Sequence, residues 1–83
     1  MTYRKEYITM TDVELLKTAR KQSGMSQAEF AAYFQMSKRT LQEWEQGRRK
    51  IPEFVLRLML YRLEAEGYVT DLLKEMDERF WNS

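Results

Sequence analysis

Residues 27–45 read QAEFAAYFQMSKRTLQEWE, and the interpretation of the whole chain starts from this stretch. Ser26, just before it, and Glu29, three residues later, form the pattern of a capping box, in which a hydroxyl and a carboxylate each bind a backbone amide that a helix start leaves unpaired. Ser37 is the expected N-cap of a second helix, because a serine oxygen accepts hydrogen bonds from such amides. The stretch therefore predicts two short helices in direct succession.

The apolar residues of this stretch fall on one side of each predicted helix. Phe30 and Phe34 are four residues apart, and Leu41 and Trp44 are three apart, so each helix has a single inward stripe. Ala31 is small at the place where two crossed helices would touch. Trp44 lies on the Leu41 stripe, so we assign it to the core and not to a binding surface. Two short helices joined by a tight turn form a helix-turn-helix.

A further helix is predicted before this stretch, over residues 12–22. Thr11 and Glu14 form another capping box, and Gly24 supplies the left-handed residue that commonly follows a helix. Its inward stripe consists of Leu15, Leu16 and Ala19.

Two more helices are predicted after it. One starts at Pro52, a residue favoured in the first turn, and ends near Glu66. Its apolar residues form two stripes: Val55, Leu58 and Met59, and Leu56, Leu60 and Leu63. A helix that is apolar on two sides must bury both. The last helix, within residues 68–81 and capped by Thr70 or Asp71, can cover one of them. These two helices either form a dimer interface, which we favour, or complete a monomeric core.

The sequence thus predicts an all-α fold in which residues 1–83 form a single domain of five helices. Residues 12–63 would form the helix-turn-helix core, and residues 68–81 would add a C-terminal helix as a possible dimerisation element. Residues 1–10 allow a strand, an extended arm or a frayed helix.

The composition argues against several functions. The 83 residues are 43% hydrophobic, which is enough for a small globular core and too much for a disordered chain. The chain has no histidine and no cysteine, so an imidazole base, a thiol nucleophile and the usual zinc ligands are missing. No apolar run approaches the roughly 20 residues of a membrane span. We therefore expect a cytoplasmic protein that is not an enzyme and has no cofactor, no metal ion and no membrane partner.

Charge is unevenly distributed, although the net charge is only +1. Residues 37–50 hold five cations and two anions, an excess of three, whereas residues 67–83 hold two cations and four anions, a deficit of two. The five cations are Lys38, Arg39, Arg48, Arg49 and Lys50. A concentrated excess of this kind is typical of a protein that binds a polyanion. The basic run 48–50 could alone be a solvated loop, but its place directly after an outward-facing cationic helix favours binding.

These features together resemble the Xre family of DNA-binding domains, which includes the Cro and lambda-type repressors and many antitoxins. The resemblance covers roughly residues 12–63. It is carried by Gly24-Met25-Ser26-Gln27, Glu29-Phe30-Ala31, Met36-Ser37, Thr40-Leu41, Trp44-Glu45, Gly47 and Arg49. One position departs from the family, which usually has glycine in the turn where this chain has Gln35. A non-glycine residue in a left-handed turn costs roughly 1 kcal/mol, so either the turn differs here or the domain tolerates that cost.

The resemblance implies a lambda-repressor-like domain that places helix 37–46 in the major groove of double-stranded DNA. The family's base-reading positions fall on Ser37, Lys38, Arg39 and Glu43, with Thr40 and Gln42 close by. Its phosphate-binding positions fall on Gln27, Gln46 and Arg48, and we add Arg49 and Lys50 from the basic loop. Lysine and arginine can donate to guanine, glutamine can pair with adenine, and glutamate can accept from cytosine N4. Gln42 and Glu43 could instead be plain helix surface.

The resemblance also implies a structural pair. Arg20 and Glu45 match positions that form an ion pair between the first helix and the end of the DNA-reading helix, and we assign neither to DNA contact. At the N-terminus, Arg4 and Lys5 could touch the DNA backbone, or Tyr3 and Tyr7 could cover apolar surface, which we favour.

Three functions remain open. The leading one is a sequence-specific transcriptional repressor that acts as a homodimer and associates with the nucleoid when bound. The second is an antitoxin that represses its own operon and also neutralises a toxin protein. The third is a protein-interaction module without DNA binding, which the retained cations Lys38 and Arg39 and the basic run 48–50 disfavour.

Overall fold

The computed structural model of the chain describes residues 10–81, with the side chains up to Asp77. Five α-helices lie within these residues: α1 Asp12–Ser23, α2 Gln27–Tyr33, α3 Lys38–Glu45, α4 Glu53–Ala65 and α5 Leu72–Trp81. Helix α2 packs on α3, α1 packs on both α3 and α4, and α5 packs on α4. This arrangement confirms the predicted all-α fold with a helix-turn-helix. The alternatives for residues 1–9 lie outside the described residues.

The predicted capping boxes form at the starts of α1 and α2. In the first, the Thr11 amide donates to the Glu14 carboxylate at 2.8 Å, and the Glu14 amide donates to the Thr11 hydroxyl at 3.1 Å. In the second, the same two bonds join Ser26 and Glu29 at 2.9 and 3.1 Å. Local hydrogen bonding therefore fixes where these helices begin, as the sequence indicates.

One core runs through all five helices. Its buried apolar side chains are Leu15, Leu16, Ala19, Phe30, Ala31, Leu41, Ile51, Leu56, Met59, Leu60, Leu63, Val69, Leu72 and Met76. The predicted α1 stripe is buried, and Ala31 lies where α2 meets its neighbours. Trp44 and Phe34 are half-buried and pack against this core.

Leu58, on one of the two apolar stripes predicted for α4, is not covered by the part of the chain that the structure describes. The stripe of Leu56, Leu60 and Leu63 is buried as expected, but Leu58 is 60% exposed although its spacing groups it with Val55 and Met59. Phe54 and Tyr61 lie on the same outer face and are 67% and 63% exposed. We call Phe54, Leu58 and Tyr61 the apolar stripe. One face of α4 packs on the core formed with α1 to α3, and an adjacent face packs on α5. The third face, which carries the apolar stripe, is exposed to solvent.

One helix start differs from the prediction. Pro52 is the N-cap of α4 and not its first helical residue, because its ψ of 135° is extended. Helix α5 begins at Leu72, directly after Asp71, which is one of the two residues predicted to precede it, and Gly67 and Asp71 have positive φ values of 83° and 68°. Asp71 precedes the helix and its carbonyl accepts from the Glu75 amide, but a φ of 68° is not the extended geometry of an N-cap.

Tyr33 links α2 to the end of α4. Its hydroxyl donates to the Glu66 carboxylate, its ring meets the Tyr68 ring edge-on, and the Arg62 guanidinium lies 4.3 Å from its ring centre. Partial burial raises the pKa of Tyr33 above its usual value of 10, and the neighbouring Glu66 carboxylate adds to the rise. The hydroxyl is therefore protonated, and able to donate this hydrogen bond, at neutral pH.

The turn between α2 and α3 is left-handed at Gln35, whose φ is 55°. The Gln35 amide donates to the Ala32 carbonyl at 3.0 Å, and the Met36 amide donates to the Ala31 carbonyl at 2.9 Å. These two bonds define a Schellman ending, in which the left-handed position normally favours glycine. The turn therefore has the usual left-handed form, and the domain tolerates a residue with a Cβ there.

Helix α3 ends in the same way but with glycine. Gly47 has a φ of 75°, its amide donates to the Trp44 carbonyl at 3.1 Å, and the Arg48 amide donates to the Glu43 carbonyl at 3.0 Å. A Cβ built on Gly47 would meet no atom within 4 Å, so only the backbone conformation opposes a side chain there. The two turns therefore form a matched pair for measuring this conformational cost.

Replacing Gln35 with glycine is expected to raise the free energy of unfolding by about 1 kcal/mol, because the left-handed strain is removed. The greater freedom of glycine in the unfolded chain reduces the gain. Urea unfolding followed by circular dichroism measures the change, and Gly47→Gln should lower stability by a similar amount. An unchanged or lowered stability of Gln35→Gly would contradict the assignment of strain to this turn.

Candidate nucleic-acid interface

An ion pair fixes α3 against α1. Arg20 donates from Nε to one Glu45 oxygen at 2.8 Å and from Nη2 to the other at 3.1 Å, and its Nη1 donates to the Met25 carbonyl at 3.3 Å. The Glu45 side chain is only 5% exposed, and that of Arg20 is 25% exposed. A two-pronged arginine–carboxylate contact is directional as well as strong. The structure thus contains the pair that the resemblance implies, and this pair orients the last turn of α3.

Gln27 joins the same group of contacts. Its Nε2 donates to Glu45 Oε1 at 3.0 Å, and its Oε1 accepts from Gln42 Nε2 at 3.4 Å. Both glutamines are predicted to meet DNA, and the structure brings the first residue of α2 together with the second half of α3. Each amide nitrogen carries a second hydrogen that these contacts do not use. That hydrogen is what either residue could offer to DNA.

The start of α3 is held by Ser37 and Thr40. The Ser37 hydroxyl accepts from the Thr40 amide at 3.0 Å, as an N-cap does, and donates to the Thr40 hydroxyl at 2.9 Å. Ser37 therefore keeps only an acceptor site, whereas Thr40 keeps its own hydroxyl hydrogen. Both residues are predicted to read bases, and this hydrogen bonding limits the partners that each can take.

All five predicted cations point into solvent from α3 and the loop after it. The exposed residues in this set are Lys38, Arg39, Arg48, Arg49 and Lys50, together with Gln46. The loop folds back on the helix, because the Arg48 and Arg49 amides both donate to the Glu43 carbonyl, at 3.0 and 3.3 Å. Helix and loop therefore present one continuous basic surface, which we call the basic face.

One anion lies within the basic face. Glu43 Oε2 is 3.6 Å from Arg39 Nε, and Glu43 Oε1 is 3.5 Å from Arg49 Nη1. The Glu43 side chain is 30% exposed. The spacing of Arg39 and Glu43 along a helix could have indicated the first contact. The second depends on the turn at Gly47 and has no local signal in the sequence.

No group of three or more possible metal ligands comes together among the residues that the structure describes. Within the same residues, no helix has both the length and the apolar character needed to cross a membrane.

A helix-turn-helix whose second helix carries an exposed basic face defines a class of DNA-binding domain. The model of a family described as helix-turn-helix matches residues 16–60, which is more than half of the chain. The protein belongs to this family, of the Xre and lambda-repressor type, whose members are DNA-binding regulators. No curated protein and no solved structure matches the chain significantly.

Proposed function

We propose that this protein is a sequence-specific transcriptional repressor that acts on DNA in the cytoplasm, and that its 83 residues act as one domain. Helix α3 would enter the major groove, and occupancy of the site would block RNA polymerase. The observation that carries the proposal is the basic face on a helix whose orientation is locked by Arg20 and Glu45. A rigid helix with mixed donors and acceptors suits the reading of base edges, whereas a mobile cationic segment would bind phosphate without selection.

Two groups of residues would contact different parts of the DNA. Base edges would be read from α3 by Ser37, Lys38, Arg39, Thr40, Gln42 and Glu43. Phosphates would be held from the start of α2, the end of α3 and the loop after it by Gln27, Gln46, Arg48, Arg49 and Lys50. Trp44 would stay structural, together with Arg20 and Glu45. Mutations in the two groups should have different effects, because loss of a base contact relaxes selectivity and loss of a phosphate contact weakens binding to all sequences.

Selection of bound duplexes from a random DNA pool tests the proposal directly. We expect a short consensus, followed by mobility shifts in which the selected duplex binds more tightly than a scrambled one. Affinity should also fall by about 0.9 log unit per log unit of salt for each phosphate contact. Absence of enrichment would exclude a sequence-specific repressor, and absence of salt-dependent binding to any duplex would exclude DNA binding altogether.

The apolar stripe supports a homodimer. Phe54, Leu58 and Tyr61 are spaced four and three residues apart on one face of α4, so two antiparallel copies of α4 would place Phe54 of one against Tyr61 of the other. The two Leu58 side chains would then lie close to the two-fold axis. Such a dimer reads two half-sites about one helical turn apart. Helix α5, which packs beside α4, would support the interface as the predicted dimerisation element.

Replacing Leu58 with glutamate is expected to weaken the dimer by at least about 100-fold, since two carboxylates would be brought together without partners in an apolar contact. Sedimentation equilibrium at micromolar concentration measures the change. Ala32→Glu adds the same charge at an exposed position of α2 and serves as the matched control. A wild-type dimer that survives Leu58→Glu would show that another surface forms the interface.

The apolar stripe also supports the antitoxin function as an alternative, because an exposed apolar face can bind a different protein as well as a second copy of this chain. A wild-type chain that is monomeric when pure, yet copurifies with a small basic protein encoded beside it, would favour this alternative. Retained DNA binding would then distinguish an antitoxin that regulates its own operon from an interaction module.

A further inference from the structure

Glu43 occupies an unusual place for a carboxylate in a surface that would face DNA. It lies between Arg39, which precedes it by one turn of α3, and Arg49, which comes from the loop. The side chains of the two arginines are 87% and 63% exposed, so both can leave Glu43 without breaking packing. The Glu43 backbone carbonyl also holds the loop, which keeps Arg49 within reach of its carboxylate.

This arrangement has opposite consequences for free and bound protein. In the free protein, Glu43 acts as a counter-ion for two arginines and offsets part of the attraction of the basic face for phosphate. Against DNA, the arginines can move to phosphates or bases, and Glu43 is then left facing the groove without a partner. A carboxylate only accepts hydrogen bonds, and among the base edges of the major groove the amino group of cytosine is its usual partner.

We propose that Glu43 is a selectivity residue, an inference that rests on the proposed function. At sequences without a suitable amino group, Glu43 retains its arginines and disfavours binding. At a site with a cytosine opposite α3, Glu43 accepts from cytosine N4, and Arg39 and Arg49 are released to the DNA. The glutamate thereby lowers affinity for non-cognate DNA more than for the cognate site, which is discrimination by exclusion.

Glu43→Gln tests this inference, because glutamine keeps the shape and removes the charge. Each exposed ion pair is worth up to about fivefold, so affinity for scrambled DNA should rise by about two- to twenty-fivefold. Its salt dependence should steepen by up to about two units, because two more arginines become available to phosphate. Affinity for the selected site should rise less or fall, so that the ratio of specific to non-specific affinity decreases.

The selected sequence provides a second readout. Glutamine pairs with adenine where glutamate accepts from cytosine, so repeating the selection with Glu43→Gln should shift one position of the consensus from cytosine to adenine. Glu43→Asp keeps the charge on a shorter side chain and should retain weak non-specific binding. Glu64→Gln removes an equal charge from an exposed position of α4 that belongs neither to the basic face nor to the apolar stripe, and it should leave the affinity ratio unchanged.

The outcomes separate this inference from the proposed function. If the wild type selects a consensus but Glu43→Gln leaves non-specific affinity unchanged, or raises specific and non-specific affinity equally, Glu43 is not a selectivity residue. If Glu64→Gln lowers the ratio as much as Glu43→Gln does, total charge and not the position of Glu43 is responsible, and the inference also fails. If the wild type selects no sequence, the proposed function itself is wrong.

Discussion

Joint replacement of Lys38 and Arg39 with alanine is expected to weaken binding to the selected duplex by about 2–6 kcal/mol, because each good base contact is worth about 1–3 kcal/mol. Both side chains project from the first turn of α3, where a helix in the major groove meets base edges. Binding to scrambled DNA should fall much less, since the basic loop 48–50 remains. Fluorescence anisotropy on the two duplexes at fixed salt measures both changes.

A matched control removes two cations elsewhere. Lys17 and Lys21 are exposed on α1, so their joint replacement with alanine changes the net charge equally. We expect this control to lower both affinities slightly and to leave their ratio intact. Equal binding of the wild type and the Lys38/Arg39 variant to selected and scrambled DNA would show that α3 does not read sequence.

Replacement of Arg20 with alanine is expected to lower the free energy of unfolding by about 3 kcal/mol, since it leaves the Glu45 carboxylate nearly buried without its cation. The expected loss lies at the low end of the range for such pairs because Gln27 still donates to Glu45 and because Arg20 is partly exposed. Urea unfolding monitored by circular dichroism measures the loss. Arg20→Lys keeps the charge but not the two-pronged geometry and should fall between alanine and the wild type.

A double-mutant cycle separates the energy of the interaction between Arg20 and Glu45 from the effects of the individual substitutions. Arg20→Met combined with Glu45→Leu removes both charges, so the double variant should be more stable than either single variant. Single variants that each lose less than about 0.5 kcal/mol would contradict a structural role for the pair.

Local signals in the sequence predict the start of each early helix. Ser26 with Glu29, Thr11 with Glu14, and Ser37 each act within three or four residues, and the structure has the corresponding hydrogen bonds. Capping of this kind depends on neighbours in sequence and not on the packing of distant elements. For the same reason, local sequence is enough to assign the left-handed residue that ends α1 to Gly24.

Features that depend on distant neighbours could not be predicted in this way. Leu58 is exposed because α1 and α5 cover other faces of α4. Helical periodicity shows that three adjacent faces of α4 are apolar, but it does not show which of them will be buried. The left-handed conformation of Asp71, just before α5, has only a weak signal in the sequence. The contact between Glu43 and Arg49 needs the path of the loop after α3. On the basic face, the sequence therefore indicates which residues are cationic but not how they pair with one another.

One carboxylate, that of Glu45 on α3, receives hydrogen bonds from Arg20 on α1 and Gln27 on α2. Positions on three different helices thus depend on one another, and natural variation at any of them should be constrained by the other two. Among relatives, we expect arginine at position 20 and glutamate at position 45 to be lost together and not singly. Glutamine at position 27 should persist chiefly where that charged couple is retained.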